Sequence, residues 1–277
     1  MARRAIEEWQ RLDPALIRPN GLLEYGNGVE LHAEALERCG EAFEWIEPDE
    51  AQRMFPEARF RERVLWTRDA GMVLADDALA ALRRGVDVRE GVRIDDPAAI
   101  EADVVVACPG AWLPRLFDLP AVAQIEQVHY FPAVPDDRPV LIDHGGEDGR
   151  LWYGLVTPGV GWKMAKDGAR PGLFDYQSPA RPILPELVDE VCEHVREWMP
   201  GVEPRIVHQE ACLYTMSPDG DFILDEIDGV VVCGGDSGHA FKFGPLLGRY
   251  CADLAQGRTL PPECERFRAD RFAGAAA

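Results

Sequence analysis

Residues 229–257, G-V-V-V-C-G-G-D-S-G-H-A-F-K-F-G-P-L-L-G-R-Y-C-A-D-L-A-Q-G, constrain the fold more than any other stretch. The apolar run 230–233 has the pattern of a short buried strand. Gly234-Gly235-Asp236-Ser237-Gly238 supplies a turn. Leu246, Leu247, Tyr250, Cys251 and Leu254 then recur at helical spacing until Gly257 ends the pattern. Pro245 suits a first helical turn and would kink a helix interior, so the helix begins close to it. A strand, a glycine turn and a helix N-terminus together offer backbone N–H groups and partial positive charge to an anion.

The rest of the chain alternates helical and strand patterns. Ile6, Trp9 and Leu12 mark an amphipathic helix over 3–12. A strand at 22–25 leads through Gly26-Asn27-Gly28 into a helix at 29–38. That G-x-G mimics a dinucleotide fingerprint, but Leu31 stands where the third glycine belongs, and Asn-Gly is an ordinary turn signal. Helices are expected from Pro48 to near Pro56, from a cap at Asp76-Asp77 to Arg84, and over 184–199. Strands are expected at 64–66, 86–88, 92–94, 104–107, 140–142, 151–153, 161–165 and 205–214, with loose alternation over 124–134. The fold class is α/β with α+β character: an open sheet-and-helix layer interleaved with a largely antiparallel sheet.

Composition narrows the function. A formal net charge of −20 repels nucleic acid and anionic membrane alike. No apolar run is long enough to span a bilayer, and the start lacks a signal peptide's apolar core. Seven cysteines without C-x-x-C spacing suit a reduced, cytoplasmic protein; Cys108, Cys192 and Cys233 lie in apolar runs. Lys163, Lys166 and Lys242 are the only lysines among 29 basic residues. A lysine, unlike an arginine, becomes a neutral base when buried. Lys163, between Trp162 and Met164, either snorkels outward or points inward as a proton handler. Lys242 is a cation set against a helix N-terminus, where the dipole disfavours it, which suggests an anionic partner. Cys212, ahead of Leu213 and Tyr214, reads on its own as a packed core thiol.

G-G-D-S-G-H-A-F-K-F-G-P resembles the C-terminal signature of the sarcosine oxidase group of FAD-dependent amine oxidoreductases. Cys212-Leu213-Tyr214-Thr215, then Ser217-Pro218-Asp219, then Phe222-Ile223-Leu224-Asp225 resemble a second block of that family. The run 102–106 followed by Gly110-Ala111-Trp112 resembles a third. The resemblance implies oxidation of a secondary amine or N-substituted amino acid, with hydride passing to flavin N5 and O2 restoring the cofactor as H2O2 forms. It implies FAD, covalently held through Cys212, and cofactor contacts from Gly234, Gly235, Ser237, Gly238, His239, Phe241 and Lys242. Lys163, in G-x-K, would serve the reaction with O2; Lys242 would hold the substrate carboxylate; Tyr153 would line the substrate cavity, although a lone strand tyrosine is equally a core residue. His239 is expected to orient the loop. Asp167 stands where sarcosine oxidase has histidine, which separates this chain from sarcosine as substrate. The signature also resembles fructosyl amino acid oxidases.

On the same resemblance, residues 1–19, 67–118 and 215–277 form a partial FAD-binding domain, and 20–66 with 119–214 a substrate domain. Family members begin with a strand, G-x-G-x-x-G and a helix that hold the FAD pyrophosphate; this sequence has no such motif. A partner chain supplying that segment, or a flavin-free remnant acting as a binding subunit, is therefore the alternative expectation.

Overall fold

The computed structural model describes residues 1–145, 150–168, 172–178 and 180–273. Its centre is the ten-residue strand Val122–Phe131. One edge pairs along nearly its whole length with His208–Met216; the other pairs with Gly161–Lys166 and with the short Gly172–Leu173. The sheet continues through Trp152–Thr157, Val140–Asp143, Leu22–Tyr25 and Val64–Thr67 to Glu44–Ile46. Every pairing in it is antiparallel except that of Leu22–Tyr25 with Val140–Asp143.

Side chains alternate across a sheet, so register decides which face each residue serves. Trp162, Met164, Phe131, Leu141, Trp152 and Val156 share one face with Leu23 and Tyr25, and form the main core. The helix Pro185–Trp198 closes it with Val191 and Val195, four residues apart. The opposite face carries Lys163, which pairs with Tyr130 and Leu155, and Cys212, which pairs with Glu126. One sheet thus separates the main core from a face where Val128, Tyr130 and Ala165 pack beside Tyr153 and Cys212.

A second sheet has three strands: Ile223–Ile227, Val230–Gly234 and Val105–Ala107. The first two form a hairpin and the last two run parallel. Val231 and Cys233 face the helix Gly244–Ala255, which buries Leu246, Leu247, Tyr250 and Cys251 against it. Val230 and Val232 face the other way, onto Leu113 and Ile223. The helix Ala2–Leu12 adds Ala5 to the first of these cores.

Three expectations are corrected. Residues 86–88 and 92–94 form no strand, and Val86, Val88, Val92 and Ile94 are all exposed. Alternation there is too short, and among the described residues no neighbouring strand is placed to take the backbone hydrogen bonds. Asp76 and Asp77 lie in the first turn of Ala75–Arg83 rather than at its cap, which is Leu74; they still favour the helix through its dipole. Cys108, read as part of an apolar run, is exposed. The strand Glu44–Ile46 was missed; it is a polar-flanked sheet edge without alternation. Among the described residues no helix is long and apolar enough to cross a membrane.

Candidate functional site

The face of the large sheet opposite the main core gathers the first group of residues. Lys163 and Tyr153 stand on neighbouring strands, with the lysine Nζ 5.8 Å from the centre of the tyrosine ring. Burial lowers the Lys163 ammonium below its ordinary value, while Cys212 and Glu210 pull it back. Burial raises the Cys212 thiol, against the attraction of Lys163. The Tyr153 and Tyr214 hydroxyls are 3.4 Å apart. Burial holds both phenols protonated, raising Tyr214 to about 12 and Tyr153 well above its ordinary value. Beneath them Gln124 donates to the buried carboxylate of Glu126.

The glycine turn is fastened to the end of the strand that carries Cys212 and Tyr214. The Ser237 N–H donates to the Thr215 carbonyl at 3.0 Å. The Asp236 carboxylate accepts from the N–H groups of Gly238, at 2.9 Å, and Thr215, at 3.2 Å. The Ser217 N–H donates to Ser237 Oγ at 3.3 Å. Ser237 has φ 44° and Gly238 φ 78°. A Cβ on Gly238 would lie 2.3 Å from the Tyr214 ring, so glycine is needed there for two reasons. Gly234, the last residue of its strand, packs closely on Leu113. Gly235 is buried, also in the left-handed region. His239 Nδ1 donates to the Ser237 carbonyl at 3.0 Å, the geometry of a loop-orienting ring.

Lys242 lies in the single turn Phe241–Phe243 that precedes the last helix. Its carbonyl accepts from Trp9 Nε1 at 2.8 Å, and Phe241 stacks on Trp9. The residue is exposed by area, yet protein closely flanks the ammonium. That crowding lowers it, and Asp167 opposes the shift. Asp167 is raised by burial, with His239 and Lys242 pulling it down. The anionic partner expected of Lys242 thus has a candidate within the chain. Asp167, Tyr214 and Asp236 were not singled out as site residues. The D-S-G sequence is a local signal for Asp236, but Asp167 and Lys242 are joined only by the fold.

An open apolar cleft of about 580 Å³ is lined by Trp9, Leu12, Leu79, Leu82, Phe241 and Pro245 among others. It contains none of Lys163, Cys212 or Tyr153, so side-chain chemistry rather than size marks the site.

Residues 1–254 match the family described as FAD dependent oxidoreductase. The chain belongs to that family. It is 29% identical over 272 residues to a monomeric sarcosine oxidase of Streptomyces avermitilis, covering 84% of this chain and 70% of that one. It is 31% identical over 213 residues to an N-methyl-L-tryptophan oxidase of Yersinia pestis, covering 70% of this chain and 53% of the relative's length. In fold it is similar to NikD, described as an unusual amino acid oxidase essential for nikkomycin biosynthesis. That match has a TM-score of 0.80 at 22% identity and covers 97% of this chain and 82% of that one. A glycine oxidase from Geobacillus kaustophilus gives a TM-score of 0.81 at 19% identity, covering 97% and 81%. As an FAD-dependent oxidoreductase the chain has a donor set that suits the ring end of the cofactor. A thiol, a lysine with a lowered pKa and a left-handed glycine loop packed on Tyr214 lie on one face of the sheet.

Proposed function

We propose that the chain oxidises a secondary amine or N-substituted amino acid. What carries this is the convergence of Lys163, Tyr153, Cys212 and the Ser237–Gly238 loop on one sheet face of a member of the FAD-dependent oxidoreductase family. FAD, when bound, accepts the hydride and passes the electrons to O2. Lys163, with its pKa lowered by burial, holds or releases a proton at Nζ near neutral pH more readily than an exposed lysine. Lys242 offers its ammonium to a substrate carboxylate in competition with Asp167. Tyr153 and Tyr214, protonated throughout the physiological range, present paired hydroxyls that orient polar substrate atoms. The Ser237 and Gly238 N–H groups, bonded to the Thr215 carbonyl and the Asp236 carboxylate, would hold the shape of the loop beside the flavin ring. Cys212 is the covalent tether.

The first test is acid precipitation of the FAD-loaded chain. Flavin is expected in the pellet for the natural chain and in the supernatant for Cys212→Ser. Flavin released from both removes the tether. A chain that takes up no FAD supports the partner-dependent reading instead. One observation favours that reading: the outer edge of Val105–Ala107 is unpaired in the described sheet, with Val106 exposed. The second test is Lys163→Met in rapid-mixing kinetics. Reoxidation of the reduced cofactor by O2 is expected to slow by about 100-fold or more, with reduction by substrate much less affected. Equal slowing of both half-reactions defeats the role given to Lys163.

A further inference from the structure

Cys108, Cys233 and Cys251 come from three elements and meet at one point. Cys108 follows the strand Val105–Ala107, and Cys233 lies near the end of Val230–Gly234. Those strands are parallel neighbours with Ala107 opposite Val232, so the two cysteines are adjacent in the next register position. Alternation places Cys233 and Cys108 on the sheet face covered by Gly244–Ala255, and that helix contributes Cys251. The three sulfurs all lie within 4.8 Å of one another.

We propose that Cys108, Cys233 and Cys251 form a three-thiolate site for one copper(I) ion. A metal–sulfur bond of about 2.3 Å in a trigonal array sets the sulfurs about 4 Å apart, which small side-chain rotations reach from this geometry. Thiolates select soft cations. Among the described residues no fourth His, Cys, Asp or Glu joins the group, which disfavours the tetrahedral closure of structural zinc. Cys108 is exposed and provides the entry path, while Cys251 is buried and holds the base of the site. Binding displaces thiol protons and changes no oxidation state. Nothing in the proposed amine oxidation uses Cys108 or Cys251.

The experiment uses the complete 277-residue chain, reduced and kept anaerobic, with copper(I) supplied from a coloured chelator that competes for it. One copper(I) per chain is expected. Alkylation read by mass spectrometry should show Cys108 and Cys233 protected together on loading, while exposed Cys39 stays reactive. This readout needs no substitution and so does not depend on a variant folding. Cys108→Ser, at an exposed position, should weaken copper(I) binding by at least about 100-fold, beyond what outer-shell changes usually cost a metal site; Cys39→Ser should leave it unchanged. Protection of Cys108 alone, protection of all seven cysteines alike, or equal affinity of Cys108→Ser and the natural chain overturns the proposal. So does a Cys108–Cys233 disulfide in freshly isolated protein.

Discussion

Trp162→Ala is expected to destabilise the chain by about 3–5 kcal/mol, a fall in Tm of roughly 10 °C. Trp162 is fully buried at the middle of the main core, edge-on to Phe55 at 5.1 Å. Its ring also lies over Gly154, where a Cβ would come within 2.3 Å of it. Removing the indole opens a cavity between two strands that cannot collapse without shifting the sheet. The next residue along is Lys163, on the opposite face, so relaxation of this strand also moves the amine out of the site. Trp162→Phe should behave differently. The indole N–H finds no acceptor among the described residues, and losing an unsatisfied buried donor offsets part of the lost area. A cost below about 2 kcal/mol is expected for it. Urea unfolding of both variants decides the matter; equal losses would show that the orphan N–H contributes nothing.

Local periodicity made much of this architecture legible. Helices such as Ala2–Leu12 and Pro185–Trp198 announce themselves by spacing, because each buries one stripe against a sheet. The strand–turn–helix unit around Gly234 is legible for the same reason. The central strand Val122–Phe131 is harder to read. Gln124, Glu126, Gln127 and His129 are all buried in it, bonded to one another or to a neighbouring loop, so polarity no longer reports exposure. The false strands at 86–88 and 92–94 show the converse: alternation without a pairing neighbour does not make a sheet. Lys163, Cys212 and the glycine loop were picked out as candidates through residue type and motif. Their electrostatic companions depend on register and on chain crossings that no local pattern encodes. Asp167 facing Lys242, and Cys108 beside Cys233, are the clearest cases.

Two residues hidden within those patterns give the second large effect, a steep loss of stability in acid. Burial lowers His194 to about 3 and His129 to about 4, against an ordinary value of 6.5. His194 stacks on Trp152 at 4.2 Å, and its Nε2 lies 3.7 Å from an Asp143 oxygen. That distance fits an ion pair, but burial also raises Asp143, and nearby Lys166 disfavours a second cation, so the ring is neutral at pH 7. His129 is neutral for a geometric reason as well. Gln127 Oε1 accepts from the Leu184 N–H, which turns its amide nitrogen toward His129 Nε2 and makes that ring atom an acceptor. A depressed histidine binds its proton more tightly when unfolded. Its contribution is therefore complete above about pH 6.5 and is lost as pH falls toward the folded value. The two together amount to on the order of 5 kcal/mol, comparable with the whole stability of many domains.

An opposing device is present. Buried Glu24 accepts from His32 at 2.8 Å and from His144 at 3.2 Å. His32 is raised by its bond to Glu24, so its contribution is present below 6.5 and is lost as pH rises through the raised value. Burial raises Glu24, but the two bonds together with the attraction of both rings leave it lowered, and its contribution is lost only as pH falls below about 4.5. His32 is half exposed and its gain is screened, so the two buried rings dominate between pH 6.5 and 4.5. The natural chain should lose several kcal/mol across that interval. His194→Phe keeps the stack on Trp152 and removes the titration, and it should lose roughly half as much. Unfolding free energies from urea titrations at pH 7.5 and 4.5 measure this directly. Parallel losses in the two proteins would place the acid sensitivity elsewhere and return His194 to a packing role.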